Sequence, residues 1–159
     1  MRAWLSRLWA REPVLAEARP ADAAAFSALH GASFSRGWSE SEMELLLLDP
    51  QVVAHRVTLG RSLAGFILAR RAADEAEILS VAVSRRDRGR GLAGRMLALH
   101  LRRLAGLGIR QVFLEVDEAN EAARKLYARA GFRTVGRREG YYQVLGRPST
   151  TALVLRREL

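Results

Sequence analysis

The stretch Val81-Ala82-Val83-Ser84-Arg85-Arg86-Asp87-Arg88-Gly89-Arg90-Gly91-Leu92-Ala93-Gly94 carries the densest chemical signal in the chain: an apolar strand, a basic glycine-rich turn and the opening of a helix in succession. Glycines let successive backbone N–H groups converge on one point, and a helix N-terminus adds partial positive charge. The natural guest is a phosphate or pyrophosphate; a tight solvated turn with no ligand is the plain alternative. Downstream, Glu115 stands in Val112-Phe113-Leu114-Glu115-Val116, an otherwise apolar run. A carboxylate so placed loses solvation, the condition that suits it to accept a proton; a solvated strand end or a partner arginine would leave it a surface charge. The chain has no cysteine, and its three histidines, His30, His55 and His100, lie far apart. Disulfide scaffolds, thiolate zinc sites and a cysteine nucleophile are thereby excluded, and no metal-ligand spacing is present.

Two nucleotide-binding patterns can be weighed against the glycine turn. Gly89, Gly91 and Gly94 satisfy G-x-G-x-x-G, with Glu115 at the end of the next strand, where a ribose-binding acid would sit. In a dinucleotide fold, however, the glycines follow the strand at once, whereas Ser84 to Arg88 intervene here. About 80 residues precede this unit and fewer than about 70 follow it, too few for a second nucleotide half. No G-x-x-x-x-G-K-S/T occurs, which excludes a P-loop.

The elements that must position these residues can be read from periodicity and turn chemistry. Val14 to Ala18 reads as a short strand, broken by Arg19-Pro20-Ala21-Asp22, with Asp22 as the N-cap of a helix through about Ala32. Phe34 to Trp38 is a loop. Ser39 and Glu42 form a capping box for a second helix reaching Asp49, closed by Pro50. Val52 to Leu59 and Leu63 to Ala69 are strands joined by Gly60-Arg61-Ser62, a hairpin signal, and Ile78 to Val83 is a third strand after Asp74-Glu75. Gly91 to Gly106 has the helical spacing Leu92, Met96, Leu97, Leu99, Leu101, Leu104. Gln111 to Val116 is a strand. Asn120 caps a helix through Ala130, and Gly131 is its left-handed C′ residue. Phe132 to Val135, Tyr141 to Leu145 and Thr151 to Leu155 finish as strands. The order β-α-α-β-β-β-α-β-α-β-β implies a mixed α/β layer on a largely antiparallel sheet.

The chain's 159 residues fit one domain with a sizeable core. Its 49% hydrophobic and 27% charged residues exclude a disordered chain. The net charge is +9, from one lysine (Lys125) and otherwise arginine. A positive field favours phosphate-bearing partners, although scattered arginines in an alanine- and arginine-rich chain equally reflect base composition. No stretch reaches the ~18 apolar residues that span a membrane. Met1 to Arg11 places Trp4, Leu5, Leu8 and Trp9 on one helical face, too short and interrupted for a secretory signal; a short docked helix is expected over residues 1–13. With no cysteine, a cytoplasmic protein is expected.

Arg88-Gly89-Arg90-Gly91-Leu92-Ala93 resembles the Q/R-x-x-G-x-G/A loop of the GNAT N-acetyltransferases, and Leu114-Glu115-Val116, Asn120, Leu126-Tyr127 and Gly131-Phe132 agree with it. Within that superfamily, three features resemble the ribosomal-protein N-terminal alanine acetyltransferase group: Phe34 to Trp38-Ser39, the Leu-Glu-Val strand followed by Asn, and Arg137-Arg138-Glu139-Gly140-Tyr141-Tyr142. The resemblance spans about Val14 to Leu155. It implies a single GNAT domain over 14–159 and acetyl-CoA as co-substrate, without a metal. It further implies that the backbone of Gly89 to Gly94, with Arg88, Arg90, Leu92 and Ala93 in the loop, holds the pyrophosphate. Val81, Ala82 and Val83 would pair with the pantetheine arm as an added strand. Asn120 would contact the cofactor, a role compatible with capping its helix.

By the same resemblance Glu115 is the general base acting through water, a backbone N–H near Val83 is the oxyanion donor, and Tyr127 is the general acid for the CoA thiolate. A phenol of pKa near 10 suits a thiolate of comparable basicity; packing beside Phe132 is the plain alternative. Phe34, Trp38, Tyr141 and Tyr142 would contact the acceptor, a protein N-terminus, with half-buried packing as the alternative. Without cysteine, transfer is direct in a ternary complex. A basic acceptor would need local acidity, from Glu40/Glu42/Glu44, Asp74/Glu75/Glu77 or Asp117/Glu118/Glu121. A monomer with no specific nucleic-acid site is expected. Two rival readings stay open: a small amine, antibiotic or lysine as acceptor, and a non-catalytic module seated on RNA or a ribosome.

Overall fold

The computed structural model describes residues 11–142, 146 and 150–159, so the helix expected near the start lies almost wholly outside the described residues. The described chain runs β1 (Pro13–Glu17), a 3₁₀ turn (Pro20–Asp22), α1 (Ala23–Ser33), α2 (Glu40–Leu48), β2 (Val52–Leu59), β3 (Ser62–Ala72) and β4 (Glu75–Val83). A second 3₁₀ turn (Arg85–Asp87), α3 (Leu92–Gly106), β5 (Gln111–Asp117), α4 (Glu121–Arg129), β6 (Arg133–Tyr142) and β7 (Thr150–Glu158) follow. The strands form one sheet in the order β1-β2-β3-β4-β5-β7-β6, antiparallel except for the parallel β4–β5 pair.

Local chemistry accounts for most boundaries. Gly60, at φ +63°, takes the first turn position of the β2–β3 hairpin, with Leu59 opposite Ser62. Ser39 accepts the Glu42 N–H at 3.1 Å while Glu42 accepts the Ser39 N–H at 2.7 Å, completing the expected capping box. Asp22 is the N-cap residue of α1 as expected, but its side chain does not cap; the turn begun by Pro20 points its carboxylate back to the Arg19 N–H and across to the Arg56 guanidinium. The strand expected at Phe132–Val135 and the start of the one expected at Tyr141–Leu145 are instead one strand, β6, because the polar run between them pairs with β7 as far as Arg138; residues 143–145 lie outside the described residues.

Helices cover both sheet faces. On one, Leu92, Met96, Leu97, Leu101 and Leu104 of α3 and Tyr127 of α4 pack on Val57, Ile67, Ile78, Val112, Leu114, Val116, Leu153 and Leu155. On the other, Ala23 and Phe26 of α1 and Met43 of α2 pack on Phe66, Leu68 and Ala82, with the Phe26 and Phe66 rings stacked at 4.6 Å. No described helix is long and apolar enough to cross a membrane.

Candidate active site

The β4–β5 ladder is short. Glu75, Ala76 and Glu77 pair with Gln111, Val112 and Phe113, and there the parallel register ends. Residues 78–83 keep their antiparallel bonds to β3, up to Gly65 opposite Val83, and have no ladder partner on the β5 side. The β3–β4 register shifts between Leu68/Ala69 and Ser80/Ile78, leaving Leu79 as an extra residue at the point of divergence. The sheet therefore opens into a gap bordered by a free backbone edge, the geometry that accepts an added extended chain.

Gly65 allows the close approach of β3 to the end of β4 behind that edge. A Cβ there would stand 2.8 Å from the Ala82 carbonyl oxygen. The sequence pattern shows Gly65 only as a weak point in a strand, and its close-approach role needs the register.

On the α3/α4 face the gap continues into a cleft of about 1070 Å³. Val81, Ala82 and Val83 line it from β4, Arg88, Gly89, Gly91, Leu92, Ala93 and Gly94 from the loop and α3, and Asn120 and Tyr127 from the α4 side. Gly89 and Gly91 both sit at φ +75°, a region costly for residues with a Cβ. Their turn delivers the chain into α3, whose first-turn N–H groups (Leu92, Ala93, Gly94) have no preceding helical carbonyl to bond. Asp87, 7% exposed, pairs with Arg86 at 3.5 Å and Arg90 at 3.4 Å. Arg90 is thus turned toward Asp87 and is not among the described residues that line the cleft. Arg88 donates from Nε to the Val83 carbonyl at 3.1 Å, tying the loop to the strand end. Free N–H groups, left-handed glycines and arginines at one end of a long cleft fit a pyrophosphate with an extended arm.

Asn120 accepts the Ala123 N–H at 3.2 Å and lines the cleft, so one residue both caps α4 and borders the cleft. Tyr127 is 7% exposed, meets Phe132 edge-on at 5.7 Å and also faces the cleft. Packing and exposure to the cleft coexist in that one ring.

Glu115 stands on the opposite sheet face. Its neighbours Leu114 and Val116 belong to the α3/α4 core, and strand alternation turns Glu115 to the α1/α2 side. Its carboxylate is ion-paired with Arg138 at 3.0 Å and 23% exposed, so a partner arginine accompanies the apolar strand context. Phe34 lines the cleft at the end of α1, where Ser33 also reaches it. Trp38 is held by His30, which stacks on its indole at 4.2 Å and accepts its backbone N–H at Nδ1. Phe34 packs on the same imidazole at 4.5 Å. His30 thereby organises the whole loop, a role that an isolated histidine in the sequence does not disclose. Burial lowers its pKa, against the raising effect of Glu42. Tyr141 and Tyr142 end β6, and their side chains lie outside the described residues. Of the acidic groups, Asp74 and Glu75 stand at the start of β4, with Glu75 about 26 Å along the strand from Val83 at ~3.3 Å per residue, and Glu77 is the last β4 residue paired with β5 before the gap opens. Glu118 is paired with Arg137 at 3.2 Å.

Residues 23–132 match the acetyltransferase (GNAT) family, and the chain belongs to it. It is 40% identical over 77 residues to N-alpha-acetyltransferase RimI of Mycobacterium tuberculosis, covering 48% of this chain and 47% of that protein. It is 35% identical over 69 residues to the [ribosomal protein bS18]-alanine N-acetyltransferase of Haemophilus ducreyi, covering 43% and 48%. These matches span about half the length of either relative. The fold is that of the ribosomal-protein-S18-alanine N-acetyltransferase from Escherichia coli, with a TM-score of 0.86 at 22% identity over 92% of this chain and 94% of that one.

Proposed function

We propose that this chain is an acetyl-CoA-dependent N-acetyltransferase that modifies a protein's N-terminal α-amino group, that of a ribosomal-protein N-terminal alanine. It would act as a monomer in the cytoplasm. The observation that carries the reading is the gap where β4 and β5 part: the cleft opens on one face and Glu115 stands on the other. Donor and acceptor then approach from opposite faces and meet without crossing. The relatives named for N-terminal alanine acetylation support the acceptor class.

The N–H groups of Gly89 to Gly94 would hold the pyrophosphate of acetyl-CoA, and Val81, Ala82 and Val83 would pair with its arm. Glu115, through a water, would take the first proton from the incoming ammonium. As the amine adds to the thioester carbon, a backbone N–H near Val83 would receive the oxyanion; as the C–S bond breaks, Tyr127 would protonate the departing thiolate, and the second proton shed by the nitrogen on amide formation would return through solvent to the tyrosinate. The chain has no cysteine to carry an acetyl group, so transfer is direct.

Mass spectrometry of peptides incubated with protein and acetyl-CoA tests this. The panel pairs free N-terminal alanine and other residues with N-blocked, lysine-containing versions. Acetylation of the free α-amine alone, falling about a hundredfold or more in Glu115→Gln, is the expected result. Acetyl on lysine only, or on a small amine only, moves the acceptor class; absence of acetyl-CoA binding removes the loop's assigned role.

A further inference from the structure

The ion pair between Glu115 and Arg138 spans three strands. Glu115 on β5 faces Val154 on β7, which faces Gly136 on β6; one step along, Asp117 faces Ala152, which faces Arg138. Arg138 must therefore cross β7, about 9.6 Å at two strand spacings of ~4.8 Å, to reach Glu115 Oε1 at 3.0 Å. Ala152, the residue opposite Arg138 on the strand it crosses, carries only a methyl group and leaves room for the side chain to pass. Arg138 is also the last residue of β6 in register with β7 before a shift that resumes only at Tyr142 opposite Thr150, with Gly140 at φ +66° between them. A long side chain from the end of a regular ladder is laid over the sheet onto the carboxylate that the proposed reaction needs.

We infer that Arg138 is a positioning residue that occupies the side of Glu115 where the bridging water and the acceptor's ammonium must come, and is displaced as they bind. This rests on the proposed role of Glu115. The guanidinium engages Oε1 of the carboxylate that a base must offer, and an acceptor that brings a positive charge of its own can exchange with it. Neutral or acidic amine carriers gain nothing from the exchange, and the pair selects for a cationic amine. With 55% of its side chain exposed, the guanidinium has water to receive it when it leaves.

The test needs no turnover. Protein carrying ¹³C-carboxyl glutamate, saturated with coenzyme A, is titrated with alaninamide as the ammonium probe, and the Glu115 signal, identified by its loss in Glu115→Gln, is followed by NMR. Arg138→Gln should bind alaninamide about two- to fivefold more tightly, the range expected when an exposed ion pair ceases to compete, and Arg138→Lys should reverse most of that gain. In peptide assays the acceptor KM should fall by the same factor in Arg138→Gln while the acetyl-CoA KM holds. Equal alaninamide affinity in wild type and Arg138→Gln, with both folded by circular dichroism, overturns the inference. If the affinities differ but no free α-amine is acetylated, the exchange stands and the proposed acceptor fails; acetylation without the affinity difference leaves the proposed function standing and removes Arg138 from it.

Discussion

Tyr127 shows how one side chain can satisfy two demands. Its ring is fastened edge-on to Phe132 in the α3/α4 core, and the same residue borders the cleft. Removing only the hydroxyl should separate the two. Tyr127→Phe is expected to lower kcat about a hundredfold, within the range of a lost general acid. Acetyl-CoA affinity should change little, and the urea midpoint should move less than in Tyr127→Ala. Tyr127→Ala should instead cost about 3–5 kcal/mol of stability, because the buried ring goes with the hydroxyl. Steady-state kinetics beside equilibrium unfolding checks both. At this scale the sequence exposed the glycines, Glu115, Asn120 and Tyr127, because each breaks or punctuates a local pattern. It did not expose His30, whose importance lies in Trp38 and Phe34 reaching the same ring.

At the scale of elements, the loop between β4 and α3 depends on backbone conformations that only glycine adopts cheaply. Gly91 sits at φ +75° as the N-cap residue of α3. Gly91→Ala is expected to destabilise the fold by about 1 kcal/mol. Because it tilts the first-turn N–H groups, it should also weaken acetyl-CoA binding, by about tenfold at ~1.4 kcal/mol; calorimetric titration reads the loss. Ser39→Ala removes one half of the α2 capping box and should cost about 1 kcal/mol, seen as a lower urea midpoint. The capping box, the hairpin at Gly60 and the C′ glycine Gly131, at φ +86°, were legible because each is a local signal. The unity of β6 was not, since a run as polar as Gly136 to Gly140 becomes a strand only when β7 supplies the ladder.

Across the whole molecule, a pair of buried histidines ties β2 to α3. His55 and His100 approach Nδ1 to Nδ1 at 2.8 Å, so one ring donates and the other accepts, and His100 Nε2 has no partner. Burial, then the neighbouring His55, lowers the His100 pKa to about 3; burial also lowers those of His55 and His30. In each case the unfolded chain takes up the proton at a higher pH than the folded one. The stability these groups contribute is full above about pH 6.5 and declines as pH falls, with His100 losing it progressively down to about pH 3. Between pH 6 and 4 the slope from His100 alone should approach about 1.4 kcal/mol per pH unit. Urea unfolding across that range reads it, and His100→Leu should flatten the acid limb. A protein as stable at pH 4.5 as at pH 7.5 would contradict the buried neutral pair.

Periodicity and turn chemistry sufficed for the order of elements through the last helix, the left-handed glycines of the loop and the mixed sheet, because helix spacing, caps and glycine turns are local properties of the chain. Long-range pairing decided the rest. Where β4 parts from β5, which sheet face Glu115 takes and that Arg138 crosses a strand to meet it all depend on register between residues tens of positions apart. Strand alternation sends a side chain to one face or the other only once its neighbours are set, so the two-sided site exists in the assembled sheet alone.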